Sequence, residues 1–86
     1  MTRAMAEAWS SSGININAIG PGFFPTELTE PVFNDPERAE RNAKLTCIGR
    51  NGRFEDLNGP LLFLCSEASV YVTGQIIMLD GGFTAK

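Results

Sequence analysis

The chain has 86 residues, 7 Lys+Arg against 10 Asp+Glu for a formal net charge of -3, and no histidine. That length allows at most one small domain, which buries only about 60% of its unfolded surface, and the scattered basic residues exclude a phosphate-binding face and hence a nucleic-acid partner. The missing histidine excludes Ser-His-Asp and Cys-His catalysis and histidine metal sites, leaving carboxylates, lysine or the single tyrosine, Tyr71, as acid or base.

Thr2 to Ser12 reads as a helix, with Ala4/Ala8 and Met5/Trp9 as i,i+4 pairs on an apolar stripe and Gly13 as its left-handed cap. Its opening residues hold no long apolar run of the kind a signal peptide needs. Ile14 to Ile19 reads as a short strand broken by Gly20-Pro21-Gly22. Phe23 to Phe33 has no period and reads as a loop. A second helix comes next, with Asp35 as N-cap, Pro36 at the first helical position, and Glu37/Arg41 and Glu40/Lys44 in the favoured i,i+4 orientation. Only Ala39, Ala43 and Leu45 are apolar there, which suits either a mobile cover over a pocket or a surface connector.

Ile48 to Arg53 is a Gly-rich turn, and Leu57, Leu61, Leu64 and Ala68 mark a third helix with Glu55 and Asp56 in its first turn. Pro60 predicts a kink or a late start. A second strand, Gln75–Leu79, is ended by Asp80-Gly81-Gly82, and Tyr71 is expected to pack ahead of it. Cys47 and Cys65 are too few for a disulfide framework and lack a CxxC spacing, so they are expected to be buried free thiols of a cytoplasmic protein. No apolar run approaches the ~18 residues that cross a membrane.

Two strands with helices between them predict a right-handed parallel crossover, and the apolar second strand predicts cover on both faces. Two strands cannot cover themselves. The fold class is therefore α/β, one end of a larger sheet.

Three segments carry a resemblance. Asn17-Ala18-Ile19-Gly20-Pro21-Gly22 with Thr26 resembles the Asn-x-Ile-x-Pro-Gly-x-x-x-Thr segment of the short-chain dehydrogenase/reductase family. Arg50-Asn51-Gly52-Arg53-Phe54-Glu55-Asp56-Leu57 is similar to that family's Arg-x-Gly-x-Pro-Glu-Asp block, with Phe54 in place of proline. Ser69 to Gln75, then Leu79-Asp80-Gly81-Gly82, resembles its closing strand and tail. The wording is closest to gluconate 5-dehydrogenase-like members, and acyl-carrier-protein reductases share most of the blocks.

The resemblance implies that residues 1–86 are the C-terminal portion of a single doubly wound Rossmann-type domain, with residue 1 at an internal family position. It implies hydride transfer between NAD or NADP and a hydroxyl or carbonyl carbon of a sugar acid or similar polar small-molecule substrate. Pro21, Gly22, Phe23, Phe24 and Thr26 become the cofactor-side residues, with the Phe24 backbone at the nicotinamide carboxamide and the Thr26 hydroxyl at the carboxamide or a phosphate oxygen. Phe23, Leu28, Val32 and Phe33 become a substrate wall beneath a cover formed by residues 27–48. No catalytic residue is assigned in this chain: the family's Tyr-x-x-x-Lys and glycine-rich phosphate turn have no counterpart, and the residue four positions after Tyr71 is Gln75. The implied partners are the N-terminal remainder of the same fold and a second subunit, in a dimer or tetramer, meeting helix Leu57–Ala68 and strand Gln75–Leu79. The competing expectation is a non-catalytic assembly fragment.

Overall fold

In the computed structural model, which describes residues 1–25, 31 and 34–85, helix α1 (Thr2–Trp9) runs into a 3-10 turn at Ser10–Ser12, and Gly13 closes it at φ 89°. That positive φ is the left-handed position the sequence assigns to Gly13. The buried face of α1 differs from the expected stripe: Ala6 is buried, whereas Ala4 and Ala8 are exposed. Ala6 faces Gly74, where an added Cβ would lie 3.4 Å from the Ala6 methyl, so the loop before the second strand chooses the face.

Strand β1 (Ala18–Pro21) begins four residues later than the apolar pattern predicts, and strand β2 is Ile76–Leu79. The reason lies in two asparagines and a threonine. The Asn17 side chain donates to the Val72 carbonyl at 2.9 Å and accepts from the Gln75 N–H at 3.1 Å. Asn15 donates to the Val70 carbonyl, while the Thr73 hydroxyl accepts from the Ile16 N–H and meets Ser10 Oγ at 2.8 Å. Residues 15–17 are thus bound largely through side chains, with one main-chain bond from the Gly74 N–H to the Ile16 carbonyl at 2.7 Å, and the regular ladder begins at Ala18. From there the strands pair in parallel, Ala18 opposite Ile76 through Pro21 opposite Leu79, as the crossover argument requires.

Helix α2 (Pro36–Lys44) starts as its sequence dictates: the Asp35 carboxylate accepts from the Glu37 N–H at 3.1 Å and lies 3.5 Å from that of Arg38. Helix α3 (Glu55–Leu64) runs through Pro60 and stops short of Ala68, because Ser66 caps a separate 3-10 turn at Glu67–Ser69. The proline, sixth of the ten helical residues, forfeits one helical hydrogen bond.

Among the described residues, the only buried apolar side chains are Ala6 and Phe24, and no large side chain is fully enclosed. The Cα radius of gyration is 15.5 Å, against about 12 Å for a compact domain of this length. Two expectations of burial are corrected accordingly. Cys47 and Cys65 are exposed, one on an irregular loop and the other at the end of α3. Tyr71 is fully exposed, because the Asn15 and Asn17 bonds hold its flanking carbonyls against β1 and leave its ring outside. The cover expected on both faces of β2 is also absent here, since Ile76 and Met78 are exposed while Ile77 and Leu79 are half-buried. The described residues supply only part of the packing their own apolar pattern calls for. No helix among the described residues is long and apolar enough to cross a membrane.

One position in the fold is unusually sensitive. A Cβ on Gly52 would lie 2.7 Å from the Phe24 ring, against the most buried aromatic side chain among the described residues. Gly52→Ala should therefore destabilise the full natural polypeptide by about 1–3 kcal/mol, the usual cost of overpacking, as read from its denaturant midpoint. The 86-residue polypeptide on its own is expected to melt without a cooperative transition in calorimetry; a sharp endotherm would show that it carries a sufficient core.

Candidate functional site

Both strands end at the same edge, and the candidate site is built on the segments that leave them there. Open parallel sheets bind ligands in the crevice beyond the carboxyl ends of their strands. Beyond β1, the Gly22 N–H donates to the Leu79 carbonyl at 3.0 Å, extending the ladder by one bond. A Cβ on Gly22 would sit 2.8 Å from the Asp80 Cα, so only glycine lets the two strand ends approach this closely. The chain then turns, placing the Phe23 ring edge-on to Phe83 with centroids 5.2 Å apart and sending the Phe24 ring inward over Gly52.

The second wall comes from residues 46–53. The Gly52 N–H donates to the Phe23 carbonyl at 2.7 Å, and the Ile48 N–H donates to the Gly81 carbonyl at 3.0 Å. Thr46, buried to 5% exposure, organises the start of this loop. Its hydroxyl donates to the Ala43 carbonyl at 2.7 Å, closing the end of α2, and accepts from the Gly49 N–H at 2.9 Å. Between the two walls lies a cavity of about 190 Å³ that Phe23, Phe24, Ile48, Asn51, Leu79 and Asp80 help to line.

Its charged groups are all engaged. Arg50 makes a two-pronged bond to Asp56, Nη1 to Oδ2 at 2.8 Å and Nη2 to Oδ1 at 3.0 Å, and also donates to the Asn51 carbonyl. Asp56 additionally reaches back from the first turn of α3 to accept the Arg53 N–H at 2.8 Å. These bonds, the Arg50 guanidinium first, lower its pKa from the ordinary 3.8 to about 2. Asp80 accepts from the Thr84 hydroxyl at 2.7 Å and from the Thr84 and Gly82 N–H groups, which likewise holds its carboxyl below the usual range. Carboxylates held ionised in this way are structural anchors, not proton donors near neutrality.

Of the residues singled out in the sequence, Pro21, Gly22, Phe23 and Phe24 form one continuous turn at the strand ends, and Phe23 and Phe24 line the cavity. Thr26, Leu28, Val32 and Phe33 lie outside the described residues. Sequence reasoning missed Thr46, Ile48 and the Arg50–Asp56 pair. A threonine just beyond a helix, and an arginine six residues before an acid in the next helix's first turn, are the only local signals they leave.

The family model described as enoyl-(acyl carrier protein) reductase matches residues 1–84. The chain belongs to the short-chain dehydrogenase/reductase family. It is 44% identical over all 86 residues to gluconate 5-dehydrogenase of Gluconobacter oxydans (strain 621H), and covers 34% of that protein. It is 42% identical over the same length to 2-dehydro-3-deoxy-D-gluconate 5-dehydrogenase of Escherichia coli (strain K12), again 34% of that protein. The crystal structure of a gluconate 5-dehydrogenase from Burkholderia cenocepacia J2315 in complex with NADP and tartrate superposes with a TM-score of 0.93 at 38% identity, over 99% of this chain and 33% of that one. The chain thus spans about a third of the length of these relatives, and its fold is the C-terminal end of their Rossmann-type α/β sheet.

The Asp56 linkage has a definite sign. Its folded-state pKa lies below the unfolded value, so its stabilisation is present above that unfolded value and is lost as pH falls towards about 2. In the full natural polypeptide, Asp56→Asn should lower the melting temperature near neutrality, and the gap to the unsubstituted protein should close on acidification from roughly pH 5 to pH 2. A gap that stays constant over that range would show that the Arg50–Asp56 pair contributes nothing to stability.

Proposed function

We propose that residues 1–86 are the C-terminal part of an NAD(P)-dependent oxidoreductase that moves a hydride between nicotinamide and a hydroxyl or carbonyl carbon of a sugar acid. The observation that carries this reading is the turn Pro21–Phe24, pinned at the carboxyl ends of two parallel strands in a chain 44% identical to a gluconate 5-dehydrogenase. A relative's complex with NADP and tartrate, a dicarboxylate, supports the same cofactor and ligand class. An acyl-carrier-protein reductase role is the weaker reading, since the Gluconobacter and Escherichia relatives act on polyhydroxy acids by name.

The cavity beside the turn, about 190 Å³, is smaller than the ~300–1,000 Å³ of a whole ligand pocket, so it suits one end of a dinucleotide and not its full length. In this reading Pro21, Gly22, Phe23 and Phe24 shape the nicotinamide end, with the Phe24 backbone and the Thr26 hydroxyl contacting the carboxamide. The bound nicotinamide supplies the hydride chemistry. Phe23, Leu28, Val32 and Phe33 form the apolar wall of the substrate site, and residues 27–48 cover it, excluding water. The proton donor and the phosphate-binding turn belong to the N-terminal remainder of the fold.

The exposed Leu61, Leu62, Tyr71, Ile76 and Met78 support two further parts of the proposal. They meet the rest of the sheet and a second subunit, through residues 57–68 and 75–79, in a cytoplasmic dimer or tetramer. That same lack of a core favours a second reading, in which a polypeptide limited to residues 1–86 acts only as an assembly piece.

With the full natural polypeptide, gluconate and NAD or NADP should give reduced cofactor absorbance; no turnover with any sugar acid would overturn the substrate assignment. Thr26→Val should weaken NAD(P) binding by about 0.5–1.5 kcal/mol, the scale of one hydrogen bond, in a fluorescence titration. The polypeptide of residues 1–86 alone should show no turnover, and any NAD(P)H formation by it would refute the proposed division of labour.

A further inference from the structure

Helix α2 is held without a buried side chain of its own, since every one of its residues is exposed or half-buried. Among the described residues, Asn51 reaches the middle of the helix from outside, its Nδ2 donating to the Ala39 carbonyl at 3.0 Å. The acceptor at Ala39 fixes which way the amide faces, because a flipped Oδ1 would oppose a carbonyl oxygen. The other half of that amide is unpaired: Asn51 Oδ1 is buried and has no hydrogen-bond partner. The next residue, Gly52, donates to the Phe23 carbonyl at 2.7 Å and lies under the Phe24 ring. Residues 51 and 52 therefore join α2 to the turn at the strand ends.

An apolar side chain of the same shape would leave no polar atom unpaired at this point, and a buried acceptor without a partner opposes the gain from the single bond to Ala39. Asparagine is thus a poor choice for stability alone. Its physical effect is to attach α2 weakly. The bond favours the seated helix, whereas the unpaired Oδ1 favours any displacement of α2 that lets water reach it.

We propose that Asn51 is a positioning residue that seats α2 on the Phe23–Phe24 turn while keeping the helix releasable. An effect on substrate arises only if α2 belongs to the substrate cover, as the proposed function has it.

The test uses Asn51→Asp in the full natural polypeptide, which keeps the size of the side chain but replaces the donor facing Ala39 with an acceptor. Hydrogen exchange read by mass spectrometry should show the amides of residues 36–45 exchanging at least about fivefold faster, the factor expected from losing one net hydrogen bond, with β1 and β2 unchanged. Asn51→Ala, too short to reach Ala39, should give the same local acceleration and provides the measurement if the first variant does not fold. Unchanged exchange in 36–45 for a folded variant overturns the proposal. Steady-state kinetics separate it from the reading it rests on: a substrate KM raised about fivefold with kcat kept supports both. Faster exchange with an unchanged KM supports the seating role of Asn51 and counts against α2 as a substrate cover.

Discussion

Both strands of this chain end against one irregular loop, residues 46–53, and the geometry of the candidate site depends on three main-chain hydrogen bonds there. Gly22 is bound to Leu79, Gly52 to Phe23 and Ile48 to Gly81, each across a gap that only close backbone approach can span. All three involve glycines where a Cβ would collide with a neighbour, Gly22 with the Asp80 main chain, Gly52 with the Phe24 ring and Gly81 with the Ile48 side chain. The constraint is steric before it is electrostatic: the crevice exists because two strand ends and a loop come nearer than side chains normally allow.

Around that seam the charged groups act as fasteners. Arg50 and Asp56 lock the loop to the start of α3, and Asp80 closes the tail over itself through Thr84 and Gly82. None of these groups is left free to exchange a proton with a ligand near neutral pH. This is one reason the proposed function assigns the acid–base chemistry elsewhere. Helix α2 carries solvated charges on its surface, including the Glu40–Lys44 pair at 3.4 Å.

The scarcity of buried side chains has a functional corollary. Ile76 and Met78 on β2 and Leu61 and Leu62 on α3 are exposed although their sequence pattern is that of covered elements. A parallel strand with one open apolar face is an unstable edge unless further packing arrives. This chain spans about a third of the length of its relatives.

What the sequence determined by itself is whatever local chemistry decides. Gly13 as a left-handed stop, Asp35 and Pro36 as a helix start, the parallel pairing of two separated apolar runs, and the turn at Pro21–Phe24 all come from φ restrictions, capping bonds and alternation. The family blocks added the expectation, carried into the proposed function, that this turn lies beside a cofactor. Tertiary structure decided the rest, for reasons no local window contains. The ladder starts at Ala18 instead of Ile14 because the Thr73 hydroxyl takes the Ile16 N–H, while the Asn15 and Asn17 side chains take the Val70 and Val72 carbonyls and the Gln75 N–H. The buried face of α1 runs through Ala6 because Gly74 packs there, and Tyr71 and both cysteines are exposed because nothing among the described residues covers them. The tie from Asn51 to Ala39 and the Arg50–Asp56 clasp are contacts between segments, and only the folded chain brings their partners within hydrogen-bonding distance.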